Sequence, residues 1–301
     1  MSAHRWWLPL ALLLSGGALL GLSTNLGKLA VDIGLTPLAF LAWSTTGTAL
    51  ILLVGSALRG NLPPINGPAL RYYAVAALVG VAASNFIFFS AIPHVGASYV
   101  ALMITLPPLL TYVAALAVGM ERFQMVRALG VLAALAGAGV LAISQLVLPE
   151  TNIFWILLVL VAPVLLAIGN IYRTLYWPPG VSADALAAGM VAVAALMLLL
   201  IGVVPGYSLA IPWGWNLPIV LIIVQAFVFA GQFQLLFLLQ KAGGPVLLSL
   251  FGSVGAGVGV PVAILLQNEA PPHGLMPGVI LIGIGVALVT CGQAKARAAA
   301  A

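Results

Sequence analysis

The chain has 301 residues, of which 63% are hydrophobic and only 5% charged, with a formal net charge of +5. Soluble domains carry roughly 25% charged residues, so this chain cannot clothe a water-facing surface and must be solvated by lipid. In lipid the backbone closes its own hydrogen bonds, as helices or as a closed barrel, and the long unbroken apolar runs lack the alternation of barrel strands.

The fold class that follows is all-α, a polytopic membrane protein. A span needs about 20 apolar residues, and ten such stretches are predicted, over 9–33, 37–58, 71–92, 97–119, 124–147, 153–176, 184–204, 217–240, 244–266 and 274–293. The run after His4 and Arg5 outlasts the apolar core of a secretory signal, so it reads as a retained first span. Turn chemistry separates the spans: Gly34 and Pro37; Gly60 to Gly67; Pro93 and Gly96; Pro178 to Gly180; Pro205 and Gly206; Gly243 to Pro245; Pro271 to Gly274. No connection is long enough for a soluble domain.

Charge sets the orientation. With the N-terminus cytoplasmic, Arg5, Arg59, Arg71, Arg122, Arg127, Arg173, Lys241, Lys295 and Arg297 all fall at the inner face, and only Lys28 falls outside. Glu150 and Glu269 land outside, Glu121 and Asp184 inside. Trp6, Trp7, Trp155, Trp177, Trp213 and Trp215 lie near span ends, as interfacial anchors do. The basic balance is thus explained by the membrane surface and not by nucleic acid. The expected location is a bacterial inner membrane, with both termini cytoplasmic. The single cysteine, Cys291, excludes an internal disulfide.

Two stretches repeat one spacing 148 residues apart. Glu121, Gly130 and Gly137 are answered by Glu269, Gly278 and Gly285. The flanks match at the same offset: Gly96 with Gly244, Ser84 with Gln232, Phe89 with Phe237. Asn25 to Lys28 is echoed by Asn170 to Arg173 at an offset of 145. The expected domains are residues 1–148 and 149–301. Five spans per copy is an odd number, so the second copy enters the bilayer upside down. Two inverted five-helix repeats around a central cavity are the architecture of alternating-access carriers.

These residues resemble the EamA-type domain of the drug/metabolite transporter superfamily. The resemblance rests on Ala97–Ser98–Tyr99, Pro107–Pro108, Glu121–Arg122 and Gly130 through Gly139 in the first half. In the second it rests on Gly244–Pro245, the run Gly252 to Gly259, Glu269, Gly278 and Gly285. It implies ten helices and a cavity lined mainly by spans 1, 3, 4, 6, 8 and 9. It also implies export of amino acids or related metabolites, in a layout similar to exporters of the YddG type. Many members carry an Arg near the start of span 2, where this chain reads Phe40–Leu41–Ala42–Trp43.

Ionisable groups inside a membrane are functional hypotheses, yet no carboxylate is expected near a span centre. Lys28 and Asp32, four apart, share a helical face and read as a mutually neutral pair or a gate. Neutral polar residues are more plentiful. Asn25, Trp43, Ser84, Asn85, Tyr99, Asn170, Gln225, Gln232 and Ser249 are the candidates for lining a cavity, against the alternative of plain interhelical hydrogen bonding. Such donors and acceptors suit a small zwitterion. Pro107 and Pro108 interrupt span 4 and predict a hinge, and Gly255 sits in a run that permits close, sliding contact. Small-residue faces on span 5 (Gly130, Ala134, Ala138) and span 10 (Gly283, Ala287) suggest scaffold packing or a homodimer seam.

His4, His94 and His273 are scattered over both faces, and no nucleophile constellation or phosphate-binding loop is present. No enzyme, metal or cofactor is expected. The partners are a small-molecule substrate and the bilayer. Efflux of drugs or toxic cations is the alternative within transporters, and a membrane sensor or intramembrane enzyme the alternative outside them.

Overall fold

The computed structural model describes residues 7–146, 152–214 and 216–300. Every described element is helical: α1 (Trp7–Asp32), α2 (Pro37–Leu58), α3 (Gly67–Ala77), α4 (Ala83–Val95), α5 (Ala97–Met103), α6 (Pro107–Ala117), α7 (Met125–Leu146), α8 (Ile153–Leu175), α9 (Ala183–Ile201), α10 (Leu217–Ser249), α11 (Phe251–Leu266) and α12 (Leu275–Ala300). A π-helical turn, Leu78–Ala82, joins α3 to α4, so the two form one crossing. α5 and α6 likewise form one crossing. Eight of these crossings are long and apolar enough to span a membrane, and two shorter apolar helices, Phe251–Leu266 and Leu275–Val289, complete ten. His4, Arg5, Trp6, Glu150 and Trp215 lie outside the described residues.

Local chemistry starts and stops the helices where expected. Thr36, Asn66 and Ser182 each accept a hydrogen bond from the backbone amide three residues on, capping α2, α3 and α9. Proline follows the first two caps inside the first turn, where its missing N–H costs nothing. Span 4 breaks at Ile104–Leu106, and α6 restarts on Pro107. One expected break is absent. α10 runs through Gly243, Gly244 and Pro245 to Ser249, and the turn falls at Leu250. A proline deletes only one helical donor, and neighbouring helices in a membrane bundle make that tolerable.

The packing exchanges partners between the halves. α1 packs along α10 and α11, and its counterpart α8 packs along α4 and α6. α2 pairs with α9, and α7 with α12. The α7–α12 seam brings together the four glycines of the repeated spacing. A Cβ added at Gly130 would lie 2.7 Å from the Gly285 carbonyl oxygen, and one at Gly137 2.8 Å from that of Gly278. Gly278 and Gly285 are the residues 148 further on from Gly130 and Gly137, so the two contacts swap under the repeat. The span 5 face of Gly130, Ala134 and Ala138 is therefore buried against α12 within the chain. Gly283 and Ala287 on span 10 look outward.

The core is apolar and aromatic, with Phe40, Phe89, Phe229 and Phe233 in successive ring contacts. Leu50, Val54, Leu132, Leu157, Leu196 and Phe227 project outward, as lipid-facing side chains must.

A polar cavity toward the basic end of the bundle

The two ends of the bundle differ in charge and in closure. At one end, Arg59 at the close of α2 meets Asp184 at the start of α9 at 3.3 Å. Gln234 of α10 donates to the same carboxylate. Nearby, Arg127 is fully buried, pairs with Glu121 at 2.9 Å, and lies 4.3 Å over the ring of Tyr112. Arg71 and Lys241 belong to this end as well. At the other end stand Lys28 and Asp32, 3.4 Å apart and solvent-reaching.

The half of the bundle away from the basic end is stitched shut by hydrogen bonds between repeats. Gln225 of α10 donates to Ser23 of α1 at 2.6 Å. Gln267 donates to the Asn25 carbonyl at 2.9 Å, and the Asn25 amide donates to the Gly259 carbonyl at 3.0 Å. Glu269 accepts from the backbone amides of Ala97 at 3.0 Å and Ser98 at 2.9 Å, and from the Ser98 hydroxyl. Gly96 precedes this cap with φ of +83°. A side chain there would be strained, and its Cβ would meet the Glu269 carboxylate at 2.7 Å.

Between this seam and the basic end lies a small cavity of roughly 80 Å³. Its walls come from α1, the π turn and α4, the α5–α6 break, α8, α9, α10 and α11. The polar groups on it are Asn85, Asn170, Arg173 and Gln232. Asn170 donates to Thr111 at 3.3 Å and accepts from Arg173 at 2.6 Å. Thr111 stands 148 residues before Gly259, the partner of Asn25, so the asparagine contacts also swap under the repeat. Among the described residues the Gln232 carbonyl oxygen and Arg173 Nε have no partner.

The structure sorts the candidate residues. Asn85, Asn170, Gln232 and Pro107 share the cavity. Asn25 and Gln225 belong to the closing seam instead. Ser84 and Tyr99 are fully buried away from it, each with a hydroxyl that has no partner among the described residues. Trp43 is half-buried near the outer loop, donates to the Leu209 carbonyl at 2.9 Å and meets Trp213 edge-on. A tryptophan inside a span reads from sequence as flanking a pore or packing against lipid; its hydrogen-bond partner here is a loop distant in sequence. Pro108 faces a separate pocket with Glu121 and Arg127. Gly255 lies in the tight α1–α11 contact, where an added Cβ would meet Leu20 at 3.0 Å. The side chain of Ser249 lies outside the described residues.

Three participants escaped the sequence reading: Glu269 as a cap, Gln267 as a tie, and Arg173 as a cavity residue. A signal existed for the last. Its repeat counterpart Lys28 has Asp32 four residues on, while Arg173 has Trp177 there.

Residues 7–143 match the model of the EamA-like transporter family. A crystal structure of a protein superposes with a TM-score of 0.66 at 17% identity, covering 97% of this chain and 99% of its own. That likeness concerns the fold. None of the curated proteins matches the chain. Residues 7–143 are thus similar to EamA-like transporters, and the apolar helices make the chain a multi-pass membrane protein.

Proposed function

We propose that this chain, whose residues 7–143 match the EamA-like transporter family, exports small polar metabolites, amino acids foremost, by alternating access of its two repeats across a bacterial inner membrane, with both termini cytoplasmic. The observation that carries the reading is the cavity between the halves, with Asn85, Asn170 and Gln232 on its walls and a hydrogen-bonded seam above it. An unpaired polar group is costly away from water, and a substrate with its own donor satisfies the free Gln232 carbonyl oxygen.

Movement follows from how the halves touch. The seam consists of a few hydrogen bonds between α1, α5, α10 and the loop after α11, which can break without melting a helix. The α1–α11 contact is backbone against backbone, with Gly21 set against the Gly255 carbonyl. Smooth small-residue surfaces of this kind permit sliding. Rocking about such contacts would open the seam and close the cavity's basic end.

No described carboxylate lines the cavity, so exchange driven by substrate gradients suits it better than a proton-carrying acid. The cationic Arg173 on its wall weighs against lipophilic cations as cargo. Purified protein in liposomes tests the reading: labelled amino acids are expected to cross. Absence of flux in both directions over a broad amino-acid panel overturns it.

A further inference from the structure

We infer that Arg173 is an anion anchor, and that the cavity selects substrates by a carboxylate group laid against its guanidinium. The inference rests on the transporter reading for its biology, but its geometry stands apart. Arg173 is 2% exposed and sits on the cavity wall. Leaving a cation buried without a partner is expensive, because water is removed and no opposite charge replaces it. The other charged residues in the bundle avoid this. Lys28 has Asp32, Arg59 has Asp184, Arg127 has Glu121, and the remaining described carboxylate, Glu269, is held by the amides of Ala97 and Ser98. Arg173 has no carboxylate partner among the described residues. It donates one bond, through Nη2 to the neutral Asn170 carbonyl oxygen, and its Nε is unused.

The surroundings are shaped for this group. The π turn Leu78–Ala82 places Gly80 beside the guanidinium, so that a Cβ there would stand 2.5 Å from Nη1. π turns are frequent at functional sites. Asn170, which orients the guanidinium, is itself held by Thr111. A guanidinium presents a planar fork of donors that matches a carboxylate, and such charge-assisted pairs are about twice as strong as neutral ones. Gln232, with its free carbonyl oxygen across the same cavity, suits a donor elsewhere on the substrate.

The experiment uses the full chain and three probe pairs of matched shape: alanine and alaninamide, leucine and leucinamide, benzoate and benzamide. Melting temperature of the purified protein reports binding, and labelled flux in liposomes reports transport. At least one acid is expected to stabilise the wild type where its amide does not, and Arg173→Gln is expected to weaken that acid at least about thirtyfold, as loss of a buried charge partner does. Arg173→Lys should restore part of it.

Asn170→Asp guards against a merely unfolded variant. It sets an internal carboxylate where the 2.6 Å contact now lies. The paired arginine should raise the melting temperature while the acid loses its advantage over the amide. Acid selectivity without flux would sink the transport reading alone. No acid preferred over its amide, or acid preference unchanged in Arg173→Gln or Asn170→Asp, overturns the anchor.

Discussion

Glu269 caps the helix whose first turn carries Ser98: the carboxylate, from the loop after α11, accepts the Ser98 backbone amide at 2.9 Å and its hydroxyl as well. One residue of the second half thus completes a helix of the first. A helix N-terminus bears unsatisfied donors and partial positive charge, and a carboxylate answers both. The repeat counterpart, Glu121, accepts instead from Arg127, six residues along its own half. The same residue at the same place in two copies therefore serves different partners at the two ends of the bundle.

Removing the cap loosens the seam. Glu269→Ala leaves two amides unsatisfied and should cost about 0.5–2 kcal/mol, read as a lowered melting temperature in detergent. A cysteine placed at Ser98 should become reactive toward a membrane-impermeant maleimide only when Glu269 is also replaced. Equal labelling in both backgrounds would show that the carboxylate does not hold this mouth.

The α7–α12 seam offers a matched pair. A Cβ at Gly285 would sit 2.5 Å from the Gly130 carbonyl oxygen, whereas one at Gly283 meets nothing within 4 Å. Gly285→Ala should destabilise by about 1–3 kcal/mol through forced backbone separation, and Gly283→Ala should be neutral. Thermal melting of both variants under identical conditions decides it.

Substrate handling should follow the cavity wall and not the sequence position of aromatic residues. Asn85→Ala and Gln232→Ala should raise KM several-fold, in line with about 1 kcal/mol per hydrogen bond lost. Trp43→Phe breaks the bond to Leu209 and should lower the melting temperature while leaving KM unchanged. A KM shift in the Trp43 variant would place the site elsewhere.

Orientation is open to chemical mapping. After Cys291→Ser, single cysteines at Arg122 and Lys241 should label from one side of the membrane, and a cysteine at Asp32 from the other. If Arg122→Cys and Lys241→Cys labelled from opposite sides, the five-span inversion would be untenable.

The solvent, the helical class and the ten crossings were legible in the residues. Each depends on composition, on 20-residue lengths or on spacing along the chain, all of which are local quantities. The neutral candidates were legible only as a pool, because polarity says that a side chain must avoid lipid but not what it meets. Contacts across 166 residues for Trp43 and 172 for Glu269 are set by which helix faces which. The same packing left Arg173 without a countercharge, an arrangement that exists only once α8 lies against the π turn.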